Sequence, residues 1–226
     1  MSIPKIIHYV WVGGKPLSPL SKKCVASWQR YLPDYELKLW NEQTLPEEVF
    51  EHLYVKAMYQ QKKWAFVADY ARFWALEKCG GIYLDTDTEV LKSFDPLLQH
   101  RAFFGQTKDG VTAAGVIGAL PQHPIITKIK KTYDTENTSQ SHTSPQIVTA
   151  VLSALGNEEK EGVEVYDYRY FNPCDDGEKC PKEKLALAYT NNHWAESWVS
   201  FRQARKLARR LGVMPVLKWV TKFFKK

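Results

Sequence analysis

The chain has 226 residues, of which 44% are hydrophobic and 13% aromatic, with eight Trp among them. This length and composition predict one globular domain with small appendages, and no run of 18 apolar residues exists to cross a membrane. The net charge of +6 is uneven, because nine Lys or Arg and no acid follow Glu196, which leaves −3 on the first 196 residues. A basic character confined to one end argues against nucleic acid as a partner.

Strand and helix signals alternate along the chain, which predicts an α/β sandwich. Strands are expected at 5–12, 35–40, 82–84, 102–104, 115–117, 163–166 and 185–189. Helices are expected at 18–31, 46–60, 64–78, 124–133 and 145–155, with a polar, Ser/Thr-rich loop at 134–144. The first helix has the clearest start, since Ser18 suits the N-cap and Pro19 the first turn.

The most informative segment is residues 80–89, Gly-Gly-Ile-Tyr-Leu-Asp-Thr-Asp-Thr-Glu. A diglycine permits a tight turn into a short apolar strand, and on extended backbone Asp85 and Asp87 would project to the same side. Two carboxylates at the end of a buried strand suit a hard divalent cation, Mn²⁺ or Mg²⁺, that also takes oxygens from substrate phosphates. A solvated acidic turn is the alternative.

The helix before the diglycine carries two charged residues among apolar ones. Asp69 and Arg72 stand three positions apart and therefore share a face of the helix. The residues around them are apolar or aromatic on all sides, which is typical of a buried helix. Because buried charge is costly unless it is paired or bound, the pair either forms an internal salt bridge, faces a polar ligand at a pocket floor, or does both.

Aromatic residues near the first strand indicate a stacking site. Tyr9 and Trp11 alternate on one face just before Gly13-Gly14, and ligands of open parallel sheets bind beyond the carboxyl ends of strands. The Trp11 indole could stack on a nucleobase, or Trp11 could be an ordinary core residue.

The segment 191–198, Asn-Asn-His-Trp-Ala-Glu-Ser-Trp, gathers metal ligands and aromatic rings after a predicted strand. The His193 imidazole would complete a coordination sphere begun by Asp85 and Asp87 if this segment folds back over them.

Together these motifs resemble glycosyltransferase family 32, which includes bacterial capsule and O-antigen transferases and yeast mannosyltransferases. The likeness runs in order from about residue 3 to residue 198: Ile-Pro-Lys-Ile-Ile-His-Tyr-Val-Trp, Asp-x-x-Arg, Gly-Gly-Ile-Tyr-Leu-Asp-Thr-Asp and His-Trp-x-x-Ser-Trp. The resemblance implies a GT-A catalytic domain at 1–198 and a retaining, metal-dependent transfer from a nucleotide sugar, most readily a UDP-sugar.

The resemblance also implies roles for single residues. Trp11 would stack on the base with the Val10 backbone beside it, and Asp69 and Arg72 would hold the hydroxyls of the donor sugar. Tyr83 matches the aromatic residue that precedes the carboxylate motif.

At the metal end, Asp87 would ligate the ion directly, while Asp85 would contact ribose, sugar and metal-bound water. His193, Ser197 and Trp198 would belong to a lid over the metal and the diphosphate. Many relatives carry a small residue where Glu196 stands, so the lid is the segment where this chain departs from the family.

The tail at 199–226 alternates apolar and basic residues at helical spacing, which predicts a basic amphipathic helix. Such a helix would either bind an anionic membrane surface, beside a lipid-linked or oligosaccharide acceptor, or pack on the body. The N-terminus does not match a signal peptide, and reduced thiols are the expectation for the four Cys, with a Cys174–Cys180 loop bridge as the alternative. These features predict a cytoplasmic enzyme, peripheral on the inner face of the plasma membrane.

Two other functions fit parts of the sequence. Residues 85–88 also match the nucleophile motif of haloacid-dehalogenase phosphatases, with Asp85 attacking phosphorus. That fold, however, usually places the motif on its first strand. A non-enzymatic carbohydrate-binding module would use the aromatic residues but would not require the buried Asp69 and Arg72.

Overall fold

The computed structural model of the protein describes residues 1–134, 143–176 and 178–195. The strands in these ranges are β1 (Ile6–Val10), β2 (Glu36–Trp40), β3 (Gly81–Leu84), β4 (Thr88–Val90), β5 (Ala102–Gln106), β6 (Thr112–Ala119), β7 (Val163–Tyr166) and β8 (Thr190–Asn192). The helices are α1 (Pro19–Tyr31), α2 (Glu47–Glu51), α3 (Leu53–Gln60), α4 (Trp64–Cys79), α5 (Pro124–Lys131), α6 (Ser144–Ser153), α7 (Tyr168–Phe171) and α8 (Lys182–Leu187). Short 3₁₀ turns lie at Asp95–Leu97, Thr132–Asp134 and Glu158–Lys160.

Six strands form one mixed sheet in the order β2-β1-β3-β6-β5-β7. β1 runs parallel to β2 and β3, while β6 runs antiparallel to β3 and β5, and β7 pairs parallel with β5. β4 and β8 pair in a separate two-stranded sheet. The carboxyl ends of β1, β2 and β3 therefore meet at one edge of the main sheet.

A hydrophobic core lies on each face of this sheet, which confirms the predicted α/β sandwich. Neighbouring strand residues alternate between the two cores: Ile82 and Leu84 pack in one, Tyr83 in the other. The first core includes Trp28 of α1, and the second is built largely from α4, α5 and α6. Because alternation along an extended strand fills both faces, the central strand β3 is apolar and buried throughout.

The start of α1 and the end of α4 follow the predicted local signals. The Ser18 hydroxyl accepts the Ser21 amide at 3.0 Å, as an N-cap does. At the other helix, α4 stops at Gly80, whose positive φ of 63° ends the helix and turns the chain into β3. A Cβ at Gly80 would lie 2.6 Å from Pro121, so the close packing also requires glycine there.

Two predicted elements are wrong in detail. The helix expected at 46–60 is two helices, α2 and α3, separated at His52, whose backbone is extended and whose ring stacks on Tyr70 at 4.1 Å. The strand expected at 185–189 is mostly the helix α8, with β8 following it. Leu185 and Leu187 alternate as in a strand, but Pro181 at the N-cap and the following Lys-Glu-Lys favour a helix.

The cysteines also differ from the expectation of reduced thiols. Cys174 and Cys180 form a disulfide with a Cα–Cα distance of 5.6 Å, while Cys24 and Cys79 are free. None of the helices in the described ranges combines the length and apolarity needed to cross a bilayer.

Residues 1–193 form one compact unit, and a second begins at Trp194, of which Trp194 and Ala195 are described. The predicted boundary between 198 and 199 and the tail helix at 199–226 lie outside the described residues, as does most of the predicted loop at 134–144.

Candidate active site

Arg72 joins the two acidic segments that the sequence singled out. Its guanidinium donates from Nη2 to Asp69 Oδ1 at 2.6 Å, and Nη1 lies 3.4 Å from Asp85 Oδ1. Nη1 also donates to the Ala114 carbonyl at 2.6 Å, and the guanidinium carbon lies 4.5 Å from the centre of the Tyr83 ring. The predicted salt bridge between Asp69 and Arg72 is present, and it extends to the carboxylate motif.

Helix geometry explains why these groups meet. Asp69 and Arg72 are one turn apart on α4, so their side chains share the face turned towards β3 and β6. Arg72 is 6% exposed and Asp69 15% exposed, whereas Asp85 is 34% exposed. The cluster therefore passes from the protein interior to the surface at the carboxyl end of β3.

The Asp85–Asp87 segment forms a turn, where the sequence predicted extended backbone. β3 ends at Leu84, the Asp85 amide donates to the Gly115 carbonyl at 2.9 Å, and the Thr88 amide donates to the Asp85 carbonyl at 3.0 Å. The turn carries the chain from the main sheet into β4. Strand alternation therefore does not set the relative direction of the two carboxylates.

The Asp85 side chain is positioned from two sides. The Tyr83 hydroxyl donates to Asp85 Oδ1 at 3.0 Å, and a Cβ added to Gly115 would lie 2.8 Å from Asp85 Oδ2. Tyr83 reaches Asp85 from the same strand, while the missing side chain at Gly115 leaves room for the carboxylate. Tyr83 therefore not only precedes the carboxylate motif in sequence but also orients Asp85 through a hydrogen bond to Oδ1.

Burial controls the electrostatics of this cluster. Burial is the largest cause that raises the pKa of Asp69 to about 6; Arg72 works to lower this pKa, and the nearby Asp85 works to raise it. Burial works to lower the pKa of Arg72, but Tyr83, Asp85 and Asp69 outweigh it and the pKa is raised. At neutral pH the cluster therefore holds one cation between two carboxylates.

The carboxylates of Asp85 and Asp87 fit a divalent cation by their chemistry. Hard cations take oxygen ligands, and Mg²⁺ in particular is usually held by one or two carboxylates together with water and substrate phosphates. Within the described ranges, no three His, Cys, Asp or Glu side chains converge as a complete metal cage. The two carboxylates would therefore hold the ion in part, and the substrate would supply the rest.

His193 lies next to this turn but is paired with another acid. Its amide donates to the Asp87 carbonyl at 3.0 Å, while its Nε2 lies 2.8 Å from Glu89 Oε2. Lys23 Nζ donates to the same Glu89 oxygen at 3.0 Å. The pairing of β4 with β8 thus brings His193 beside Asp87, and its role as a metal ligand stays a prediction. Ser197 and Trp198 lie outside the described residues.

Trp11 lines a cavity of about 550 Å³ beyond the carboxyl ends of β1 and β2. Its indole N–H donates to the Lys15 carbonyl at 2.6 Å, which fixes the ring at the cavity wall. Val10, predicted beside the base, is the buried last residue of β1 and does not line the cavity. Tyr9, predicted on the same face as Trp11, packs instead against Trp28 in the core.

Several residues of this cavity were not singled out in the sequence. They are Lys15, Asn41, Glu42, Gln43, Tyr59 and Trp64, and they lie beside Gly13 and Gly14. Asn41 to Gln43 follow β2 directly, so the rule that carboxyl ends of parallel strands share an edge could have found them. Tyr59 and Trp64 flank the turn between α3 and α4, and no local signal in the sequence places that turn at the cavity.

Glu42 and Trp64 hold the glycine loop of this cavity. The Gly13 amide donates to Glu42 Oε1 at 2.6 Å, and the Tyr59 hydroxyl donates to the same oxygen at 3.2 Å. A Cβ at Gly13, whose φ is +98°, would lie 2.7 Å from the Trp64 indole. The loop is thus held close against an aromatic wall, which favours a flat ligand stacked beside it.

Comparison with known proteins shows which family these features resemble. Residues 18–104 match the model of a family described as "Glycosyltransferase sugar-binding region containing DXD motif". An uncharacterized glycosyltransferase of Acanthamoeba polyphaga mimivirus is 27% identical over 211 residues, which cover 85% of this chain and 84% of that protein.

A second relative is the inositol phosphoceramide mannosyltransferase 3 of Schizosaccharomyces pombe, 29% identical over 133 residues. This match covers 57% of the chain but 36% of the yeast protein, so the chain spans about a third of that relative. Among solved structures, the PaToxG glycosyltransferase superposes with a TM-score of 0.53 at 17% identity, covering 67% of this chain and 69% of that one. At this level of identity, the likeness shows only that the two proteins share a fold.

The matched segment contains the Asp69–Arg72 pair and the carboxylate turn, and the sheet that positions them has the GT-A arrangement. The chain therefore resembles the DXD-containing glycosyltransferases of family 32, and these matches support a transferase enzyme with a GT-A fold.

Proposed function

We propose that the protein transfers a hexose or N-acetylhexosamine from a nucleotide sugar to a saccharide acceptor, with Mn²⁺ or Mg²⁺ as cofactor. The observation that carries this proposal is the position of Arg72 between Asp69 and Asp85, at 2.6 and 3.4 Å. It makes one polar surface out of the residues suited to a sugar and the residues suited to a metal-bound diphosphate.

The donor would lie along the shared edge of the sheet. The cavity at Trp11 lies beyond β1, and the carboxylate turn lies beyond the neighbouring parallel strand β3. A base stacked on Trp11 would direct its diphosphate towards Asp85 and Asp87, and its sugar towards Asp69. Uridine is the first choice of base because the indole suits stacking on uracil, with guanosine as the alternative.

The side chains present account for donor binding and orientation. Asp69 accepts hydrogen bonds from sugar hydroxyls, and Arg72 fixes the carboxylates of Asp69 and Asp85 in the geometry needed for this. Asp85 and Asp87 would hold the metal, which when bound offsets negative charge on the departing diphosphate.

Retention of the anomeric configuration is proposed to follow from attack on the same face as the leaving group, with the leaving phosphate accepting the acceptor proton. Proton NMR of the first-formed product would show the α-anomer from an α-linked donor. Formation of the β-anomer, or trapping of a covalent glycosyl-enzyme on a carboxylate, would contradict this route.

The acceptor is proposed to be a lipid-linked saccharide in surface polysaccharide synthesis, on the cytoplasmic face of a membrane. Support comes from the basic amphipathic pattern at 199–226 and from the name of the yeast relative, which specifies a lipid acceptor for that protein. The 226-residue chain should float with anionic liposomes, and a chain lacking residues 201–226 should not. Equal flotation of both would overturn the membrane assignment.

Ligand-dependent stabilisation tests the donor class. In a thermal-shift panel of UDP- and GDP-sugars with Mn²⁺, a true donor raises the unfolding temperature, because a ligand that binds the native state stabilises it by mass action. The shift should require the metal and should shrink in Asp69→Asn. A panel in which no nucleotide sugar shifts the wild-type transition would contradict the proposed function.

A further inference from the structure

The Glu89 carboxylate, two residues after Asp87, has no role in the donor site described above. Its Oε2 atom lies 2.8 Å from His193 Nε2 and accepts a hydrogen bond from Lys23 Nζ at 3.0 Å. The side chains of Glu89 and His193 are 21% and 25% exposed, so their contact is largely sheltered from water. A sheltered hydrogen bond to a charged group fixes the direction of both side chains.

Glu89 stands on a strand that α1 holds in place. The Trp28 indole N–H donates to the Thr88 carbonyl at 2.8 Å. The Val90 amide donates to the Ser27 hydroxyl at 2.9 Å. The side chains of Thr88 and Val90 are fully buried, whereas Glu89 points to the other, partly exposed face of β4. The carboxylate is therefore presented from a rigid element, which suits a residue that must orient another one.

The pairing of β4 with β8 brings His193 opposite Asp87. Thr88 pairs with Asn192, and the His193 amide donates to the Asp87 carbonyl at 3.0 Å, so the ladder continues by one more pair. Residues opposite each other in such a hydrogen-bonded pair have their Cα atoms about 5.5 Å apart. The imidazole and the Asp87 carboxylate thus start from neighbouring backbone positions, near enough for both to bind one ion.

The contact with Glu89 determines which ring nitrogen His193 can offer to a ligand. An ionised carboxylate only accepts hydrogen bonds, and Lys23 donates to the same Glu89 oxygen, so His193 Nε2 is the donor in their contact. In a neutral imidazole with its hydrogen on Nε2, the lone pair is on Nδ1. Histidines that ligate metal ions almost always donate the other ring N–H to a carboxylate, a carbonyl or water. The contact between Glu89 and His193 has this pattern.

Building on the proposed function, in which Asp87 holds a divalent cation, we propose that Glu89 is a positioning residue for that site. By accepting the Nε2 hydrogen, Glu89 orients the His193 imidazole so that Nδ1 is the nitrogen that ligates the ion. Glu89 itself contacts neither the ion nor the donor sugar, and its whole effect passes through His193.

Binding of Mn²⁺ alone, measured by electron paramagnetic resonance, tests this role without any nucleotide sugar. Both His193→Ala and Glu89→Ala should weaken binding by about tenfold or more, the range that follows loss of the carboxylate partner of a ligating histidine. Glu89→Gln keeps a carbonyl oxygen that can accept the Nε2 hydrogen, so it should bind Mn²⁺ within about threefold of wild type.

A double-mutant cycle distinguishes positioning from a general effect of negative charge. Because Glu89 acts through His193, Glu89→Ala should change the affinity by less than about twofold in the His193→Ala background. The matched control is Glu164→Ala, which removes an exposed carboxylate from the edge strand β7 and should bind Mn²⁺ as wild type does.

Two spectroscopic signatures report on the imidazole itself. Long-range proton–nitrogen NMR of the metal-free protein should show His193 protonated at Nε2 in wild type and a mixture of tautomers in Glu89→Ala. Pulsed electron paramagnetic resonance of the Mn²⁺ complex should detect a directly bound nitrogen that is lost in His193→Ala. If Glu89→Ala fails to fold, the tautomer of His193 in wild type carries the test.

The inference fails, while the proposed function stands, if wild type binds Mn²⁺ but either His193→Ala or Glu89→Ala binds it equally well. Additive losses in the double variant, or a loss in Glu89→Gln as large as in Glu89→Ala, would mean that Glu89 acts through its charge alone. A His193 protonated at Nδ1 in the metal-free wild type would also overturn the inference. If wild type binds no Mn²⁺, the metal dependence in the proposed function fails and the inference falls with it.

Discussion

Replacement of Arg72 by Met removes the cation between two carboxylates and is the most informative single change in the cluster. Met fills most of the same space, so the loss is chiefly electrostatic. The substitution removes the salt bridge to Asp69, the contact with Asp85 and the hydrogen bond to the Ala114 carbonyl. Asp85 is one-third exposed and regains water, whereas Asp69 does not.

The expected magnitude follows from this difference. Breaking a buried ion pair by removing one partner costs about 3–5 kcal/mol, and most of that cost falls on Asp69. We therefore expect Arg72→Met to lower the free energy of unfolding by about 3 kcal/mol at neutral pH. The exposed Arg30→Met on α1 is the control and should change stability by less than about 0.5 kcal/mol.

The pH dependence of the stability cost of Arg72→Met distinguishes a loss of ionic interactions from a loss of packing. The pKa of Asp69 is raised to about 6 in the native protein, and loss of Arg72 should raise it further. Below about pH 6 the carboxyl is protonated in both proteins, so the cost of the substitution is smallest there. Above about pH 6 only wild type keeps a paired carboxylate, so the cost should grow, by about 2 kcal/mol between pH 5 and pH 8.

The assay is urea unfolding in a metal-free buffer, followed by Trp fluorescence at several pH values. Arg72→Met/Asp69→Leu should be more stable than the sum of the two single changes predicts, because neither charge is then left unpaired. A cost of Arg72→Met that does not vary with pH, or additive effects in the double variant, would refute the assignment of a buried ionic cluster.

Three further changes test other parts of the structure. Burial lowers the pKa of His8 to about 4, so the neutral imidazole stabilises the fold above pH 6.5. This stabilisation, roughly 3 kcal/mol, is lost as the pH falls from 6.5 towards 4. In urea unfolding, the free energy of unfolding of His8→Gln should therefore vary less with pH than that of wild type. Asp87→Asn should weaken Mn²⁺ binding, read by electron paramagnetic resonance, by about tenfold or more, and wild-type affinity would disprove direct ligation. Gly115→Ala places a Cβ 2.8 Å from Asp85 Oδ2 and should lower donor turnover at least tenfold, whereas Gly156→Ala, with no atom within 4 Å of its Cβ, should leave turnover unchanged.

The sequence predicted those parts of the site that depend on local spacing. Asp69 and Arg72 share a face because they are one helical turn apart, and the apolar residues around them indicate burial. The strand before Asp85 follows in the same way from the diglycine and three apolar residues. These inferences need no long-range contact, and the structure agrees with them.

Local spacing could not predict contacts between segments that are far apart in the sequence. The link from Arg72 to Asp85 depends on how α4 packs against β3, and the turn at Asp85–Asp87 depends on pairing of β4 with β8. The pairing of His193 with Glu89 arises from that same small sheet. Periodicity within one segment carries no information on any of these contacts.

The measurement that tests the central claim most directly is turnover of a nucleotide sugar with and without metal. Wild-type protein with Mn²⁺ should release nucleoside diphosphate from at least one UDP- or GDP-sugar, and both chelation of the metal and Asp87→Asn should abolish the release. Hydrolysis of simple phosphomonoesters that survives in Asp87→Asn, or turnover of nucleotide sugars that persists in full under chelation, would contradict a metal-dependent glycosyltransferase.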